Sequence, residues 1–209
     1  MKDSPALRLA VTGAPGSGKT AVCTALSLAT GLSFATISEQ LAKPVADRRL
    51  AATVDAPMRG FEQRVDSEAR LGTGFVSDGS VLHEWAVAET LRSTRRLGHW
   101  LRRPQDLPYR VFEQRYLVAH AGIVVRRART TYDGFVHLRS DGEAATAAAE
   151  SEFRTVIDRL LLDTLHETSV PYLVTGGPLE EIVTRVAGMF ELPQVIPVTD
   201  AVNAALRAA

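Results

Sequence analysis

The chain has 209 residues, 45% of them hydrophobic and 23% charged, which suits a single globular domain with one sizeable core. Its 24 basic and 24 acidic residues cancel, so no global field draws it to nucleic acid or anionic lipid. The lone cysteine, Cys23, excludes an internal disulfide, and no stretch approaches the roughly 18 consecutive apolar residues that span a bilayer; because "MKDSPALRLAVTG" also lacks the apolar centre of a signal peptide, a soluble, cytoplasmic protein is expected.

In chain order, "LRLAV" (7–11) reads as a buried strand running into a glycine-rich loop, and "TAVCTALSLAT" from Thr20 as a helix that Gly31 caps. "LSFATI" (32–37) is a second strand, followed by a helical piece from Ser38 that Pro44 limits. Pro57 and Gly60 mark residues 51–60 as a loop, "FEQRVDSEARL" (61–71) is a polar helix, and "GFVSDGS" (74–80) is a short strand ending in an acid. "SVLHEWAVAETLRS" reads as helix, broken by Gly98, Pro104 and Pro108 before a second long helix, "VFEQRYLVAHAGIVVRRART". "GFVHLR" (134–139) is a strand and "SDGEAATAAAE" a small-residue connector. In "EFRTVIDRLLLDTLHE", Phe153, Val156, Ile157, Leu160, Leu161 and Leu165 form one apolar helical face. "PYLVTG" (171–176) and "PLEEIVTRVAGMF" are the last clear strand and helix. Five strands alternating with helices predict an α/β fold: a mostly parallel sheet with helices on both faces.

The loop itself, "VTGAPGSGKT", carries Gly13-x-x-x-x-Gly18-Lys19-Thr20, the phosphate-loop (Walker A) pattern, with a strand before it and a helix after it. Residues Gly13, Ala14, Pro15, Gly16, Ser17 and Gly18 let backbone N–H groups converge on phosphate oxygens at the positive end of a helix dipole. Lys19 reaches the β- and γ-phosphates and Thr20 offers its hydroxyl to Mg²⁺, so ATP and Mg²⁺ are the expected cofactors of a P-loop NTPase fold. A glycine-rich turn that only joins strand to helix is the bland alternative.

Asp78 ends a strand where an open parallel sheet places its crevice, and it can orient Mg²⁺ or accept a proton; equally, Asp78 or Ser80 can serve as an N-cap. A motor ATPase usually follows this acid with a glutamate that activates water, whereas Gly79 and Ser80 follow here. There is also no "LSGGQ"-type signature and no "NKxD"-type guanine-reading segment.

On these motifs, with Glu39 in "ATISEQLA", "YDGFVHLRSDGE" before the "EFRTVIDRLL" helix, and "PYLVTGG", the chain resembles the P-loop nucleoside and nucleotide kinases, most closely the group containing ribosylnicotinamide-kinase-like domains. The resemblance covers most of residues 7–190. It implies that Glu39 binds an acceptor hydroxyl, that Asp78 is base or Mg²⁺ orienter, that residues 140–150 form a lid, and that Arg139 and Arg154 are its arginines. A solvated first-turn glutamate is the other reading of Glu39. Related kinases commonly carry an arginine soon after the strand acid and another after the lid's "DG"; Gly79 and Glu143 stand there instead, which favours a neutral acceptor over a phosphate-bearing one.

Arg92, Arg95, Arg96, Arg102 and Arg103, with Trp100 among them, form a solvated helix face, an acceptor or nucleotide contact, or a nucleic-acid patch, and the zero net charge argues against the last. The five histidines show no metal-ligand spacing, and Cys23 and Trp85 read as core. The expected activity is transfer of a γ-phosphoryl group to a small acceptor (a nucleoside, nucleotide or sugar alcohol) by one domain spanning residues 1–209, with a homodimer as the protein partner considered. A nucleotide-dependent switch module with slow hydrolysis is the reading from another class.

Overall fold

The structure is a computed structural model that describes residues 7–35, 50–94, 107–139 and 148–208. Strands β1 (Arg8–Gly13), β2 (Ser33–Ala35), β3 (Phe75–Asp78), β4 (Gly134–Leu138) and β5 (Tyr172–Thr175) form one sheet in the order β2-β3-β1-β4-β5, with every pairing parallel. Parallel neighbours need crossovers, and the crossovers here run through helices. The helices are α1 (Lys19–Thr30), α2 (Ala56–Ala69), α3 (Val81–Thr94), α4 (Leu107–Thr131), α5 (Ala148–Thr168), α6 (Leu179–Met189) and α7 (Val198–Ala208).

The period-two alternation of side chains explains how the central strand serves both faces. Leu9 and Val11 of β1 join an apolar cluster with Val22 and Leu26 of α1, Val183 of α6 and Val202 of α7. Ala10 between them joins a second cluster with Leu82 of α3, Leu117 of α4 and Ile157, Leu161 and Leu165 of α5. A strand buried on both faces carries the nearly continuous apolar run that "LRLAV" shows. The α/β expectation of a five-stranded parallel sheet covered on both faces is therefore what the fold shows. Cys23 and Trp85 lie in the core, and burial pushes the Cys23 thiol up.

Three expectations need correction. Pro108 does not precede the second long helix but stands in the first turn of α4, which begins at Leu107. Residues 51–60 are not a loop: a π-helical turn over Ala51–Asp55 leads into α2, which already contains Pro57 and Gly60. Pro57 sits in the first turn, where its missing N–H costs nothing, and Gly60 lies where α2 presses on Glu84 of α3. The "PLEEIVTRVAGMF" helix is also not the last, because α7 follows it and buries Ala201, Val202 and Ala205 against α1 and α6. Its buried face is small, two alanines and a valine, although the helical period of "VTDAVNAALRA" is clear. Of the connector 140–150, residues 148–150 belong to α5, and the remainder lies outside the described residues, as does the helical piece expected from Ser38. No helix among the described residues is long and apolar enough to cross a membrane.

Candidate functional site

β1 lies between β3 and β4, so the loop that leaves its carboxyl end is flanked by the ends of both neighbours. The register pairs Val11 with Asp78 on one side and Gly13 with Leu138 on the other. This is the crevice beyond the strand ends where open α/β sheets place ligands.

Residues 13–20 provide an uncapped helix start. Gly18, the N-cap of α1, is left-handed (φ 82°) and gives no side-chain cap, and the first turn carries no acid. The first N–H groups of α1 and the positive end of its dipole thus face the loop with no side-chain cap from Gly18. The Ser17 hydroxyl oxygen is buried in the loop with no partner among the described residues. Lys19 folds back, its Nζ donating to the carbonyl oxygens of Gly13 (3.2 Å) and Ala14 (2.9 Å). An uncapped helix terminus, a buried orphan hydroxyl and an ammonium in one loop match the donor set that a polyphosphate needs, so the residues present fit a nucleotide.

Thr20 and Asp78, 58 positions apart, meet directly: Thr20 Oγ1 donates to Asp78 Oδ2 at 2.6 Å. A hydroxyl and a carboxylate side by side are hard oxygen donors of the kind Mg²⁺ takes, so they fit that cation as well. The helix cap comes from elsewhere. Ser80 Oγ accepts from the Leu82 N–H at 3.3 Å and the Ser80 carbonyl from the His83 N–H at 2.9 Å, so Ser80 starts α3. The Gly79 N–H continues the ladder past β3 by donating to the Val11 carbonyl at 2.9 Å.

On the other side of the loop, α5 brings Arg154 over Gly16. The left-handed φ of 76° favours glycine at Gly16, and a Cβ built there would stand 2.7 Å from Arg154 Nη2, so the guanidinium lies directly against the loop. Arg154 also pairs with Glu150 one turn earlier at 3.5 Å. Arg139 is exposed just past β4, its N–H donating to the Thr175 carbonyl at 2.9 Å. Glu39 lies outside the described residues, as do Arg95, Arg96, Trp100, Arg102 and Arg103. Arg92 is described and pairs with Glu89, three positions earlier on α3.

Two polar clusters around the loop escaped sequence reasoning. His137 of β4 is fully buried, with Nδ1 3.1 Å from Thr12 Oγ1 and Nε2 2.9 Å from Asp158 Oδ1 of α5. Burial lowers its pKa, and Asp158 acts against that shift. The second cluster stands behind Asp78. Arg64 of α2 donates to the Asp78 carbonyl (2.8 Å), to Ser77 Oγ (3.3 Å) and to Glu84 Oε1 (2.8 Å). Ser77 Oγ and the Tyr132 hydroxyl both donate to Glu68 Oε1 at 2.7 Å, and the Tyr132 oxygen accepts the Val81 N–H at 3.1 Å. Arg64 and Glu68, four apart in "FEQRVDSEARL", have the spacing of a solvated surface pair, which is why that helix reads as polar.

No family model matches the chain, and no curated protein matches it. Among solved structures it is similar to deoxyadenosine kinase from M. mycoides in three states. With the products dCMP and a flexible dCDP bound, the TM-score is 0.59 at 11% identity, over 88% of this chain and 98% of that one. With dCTP the values are 0.55 and 11%, over 88% and 99%, and with dATP they are 0.51 and 12%, over 88% and 100%. At such identity the likeness is one of architecture: a five-stranded parallel α/β sheet flanked by helices.

Proposed function

We propose that this chain is an ATP- and Mg²⁺-dependent phosphotransferase of nucleoside-kinase type, which moves a γ-phosphoryl group to a hydroxyl of a small acceptor. The observation that carries the reading is the 2.6 Å contact between Thr20 and Asp78, which joins the loop to a strand-end carboxylate. The loop N–H groups and Lys19 hold the phosphates, with the ammonium leaving the carbonyls of Gly13 and Ala14 for the anion. Thr20 and Asp78 would hold the cation, which would supply neutralisation of the phosphate charge. Glu39 takes the acceptor hydroxyl and receives its proton as the new oxygen–phosphorus bond forms and ADP leaves. Arg139 and Arg154, from either end of the 140–150 segment, bring positive charge to the transferring group.

A neutral acceptor fits best, because the arginine that touches Asp78 among the described residues is already neutralised: Arg64 is 3% exposed and paired with Glu84. A nucleoside is the first candidate, in keeping with the kinases whose fold the chain shares and with its motifs, which resemble ribosylnicotinamide-kinase-like domains. The test is ADP release with ATP and Mg²⁺ across panels of nucleosides, nucleotides and sugar alcohols. The expected result is a rate at least about 10²-fold over the acceptor-free rate for one neutral class. A slow rate that no acceptor raises would replace the kinase with a hydrolytic switch.

A further inference from the structure

We propose that Arg64 is a positioning residue that holds Asp78 in place for the cation, an inference that rests on the reading of Asp78 above. Its guanidinium fork reaches three points at once: the carbonyl of Asp78, the hydroxyl of Ser77 and the carboxylate of Glu84 in the first turn of α3. Tyr132 holds the far side of the same turn by accepting the Val81 N–H while donating to Glu68. The turn Asp78–Gly79–Ser80 is thus clamped on both sides, and the Asp78 carboxylate projects from it to Thr20. Groups that must sit within about 0.5 Å of a working geometry need such support from behind.

The space for the clamp is written into two glycines. Gly79 has φ 88°, and a Cβ on it would stand 2.9 Å from Arg64 Nη2. Gly60, one turn before Arg64 on α2, would meet the Glu84 Cγ at 2.5 Å if it carried a Cβ. The residue after the strand acid is glycine, and Arg64 approaches it from another helix.

Stability alone does not account for the pair. A buried ion pair is commonly matched or bettered by apolar residues of similar volume, and this one leaves Arg64 Nε and Glu84 Oε2 buried without partners among the described residues. The fork's contact with the strand-end carbonyl is what an apolar replacement cannot supply.

The test uses the full chain with Arg64→Met and Glu84→Gln combined, so that neither charge is left buried alone, and checks folding by circular dichroism and cooperative melting. A second variant, Arg64→Lys, keeps the charge on Glu84 but lacks the planar fork that spans to Asp78. Two readouts are taken. Without nucleotide, the Gly79 amide should exchange at least about tenfold faster while the Thr20 amide is unchanged. With nucleotide and acceptor, the Mg²⁺ concentration for half-maximal turnover should rise about tenfold or more, with the nucleotide KM at saturating Mg²⁺ within about threefold of the original. Wild-type exchange at Gly79 in either folded variant overturns the inference, as does faster exchange with unaltered Mg²⁺ dependence. Unaltered Mg²⁺ dependence in Asp78→Asn sinks the reading of Asp78 and, with it, the purpose assigned to Arg64. That failure is recognisable because Gly79 exchange still quickens in the double variant.

Discussion

The sequence offers the capping of α3 to both Asp78 and Ser80, and the structure gives it to Ser80. Ser80 caps α3 and the Asp78 carboxylate turns to Thr20, so losing the charge of Asp78 should cost chemistry rather than helix stability. Asp78→Asn keeps an oxygen that can accept from Thr20 and should still bind nucleotide, while acceptor-dependent turnover falls about 10²-fold or more. Lys19→Ala should do the reverse at the first step, weakening nucleotide binding with the melting profile intact. Equilibrium titration with a fluorescent nucleotide separates the two variants, and normal turnover in Asp78→Asn would reduce that residue to scaffolding. These residues were legible because a contiguous motif and a strand-end acid are written in short stretches. Arg64 was not, since a buried Arg and Glu four apart look the same in sequence as a solvated pair.

Among the elements, α5 ties β4 to the loop. Arg154 and Asp158 are one turn apart on its inner face; one lies on Gly16, and the other holds His137, which in turn meets Thr12 just before the loop. Sequence periodicity showed the apolar face of α5 but not these polar contacts, whose partners lie on other elements. The error at 51–60 has a similar origin: proline and glycine break helix interiors, yet Pro57 stands in a first turn and Gly60 at a helix contact, where both are tolerated. If Arg154 carries charge to the transferring group, Arg154→Ala should lower kcat by about 10²-fold or more, with the nucleotide KM changed far less. Glu150→Ala, which removes only its exposed partner, should stay within about threefold of the original rate. Equal losses in both variants would place the function of Arg154 in the helix rather than at the phosphates.

At the scale of the whole molecule, the sheet separates two apolar clusters, and most strands and helices were legible because each shows its period to one cluster or both. The polar groups buried between the elements were not, and they set how the fold responds to pH. His83 of α3, His120 of α4 and His137 of β4 are all lowered by burial, His83 to about 4. In the unfolded chain each takes up a proton near pH 6.5, so below that value the unfolded state binds more protons and stability falls as the pH falls. Each such proton costs up to about 1.4 kcal/mol per pH unit. Glu68, raised by burial, is protonated earlier in the native state and offsets part of the loss as the carboxylate range approaches. Glu84, held low by Arg64 against the cost of burial, adds to the loss only below its ordinary value near 4.5. The melting temperature should therefore be highest above about pH 7 and fall steadily towards pH 5.5. His83 stays neutral in the native state across that whole interval, so His83→Gln should flatten the slope by about one proton. A melting temperature that stays level or rises between pH 7.5 and 5.5 would mean that these rings are solvated, and that the polar layer around the site is looser than the contacts of Arg64, Glu84 and His137 require.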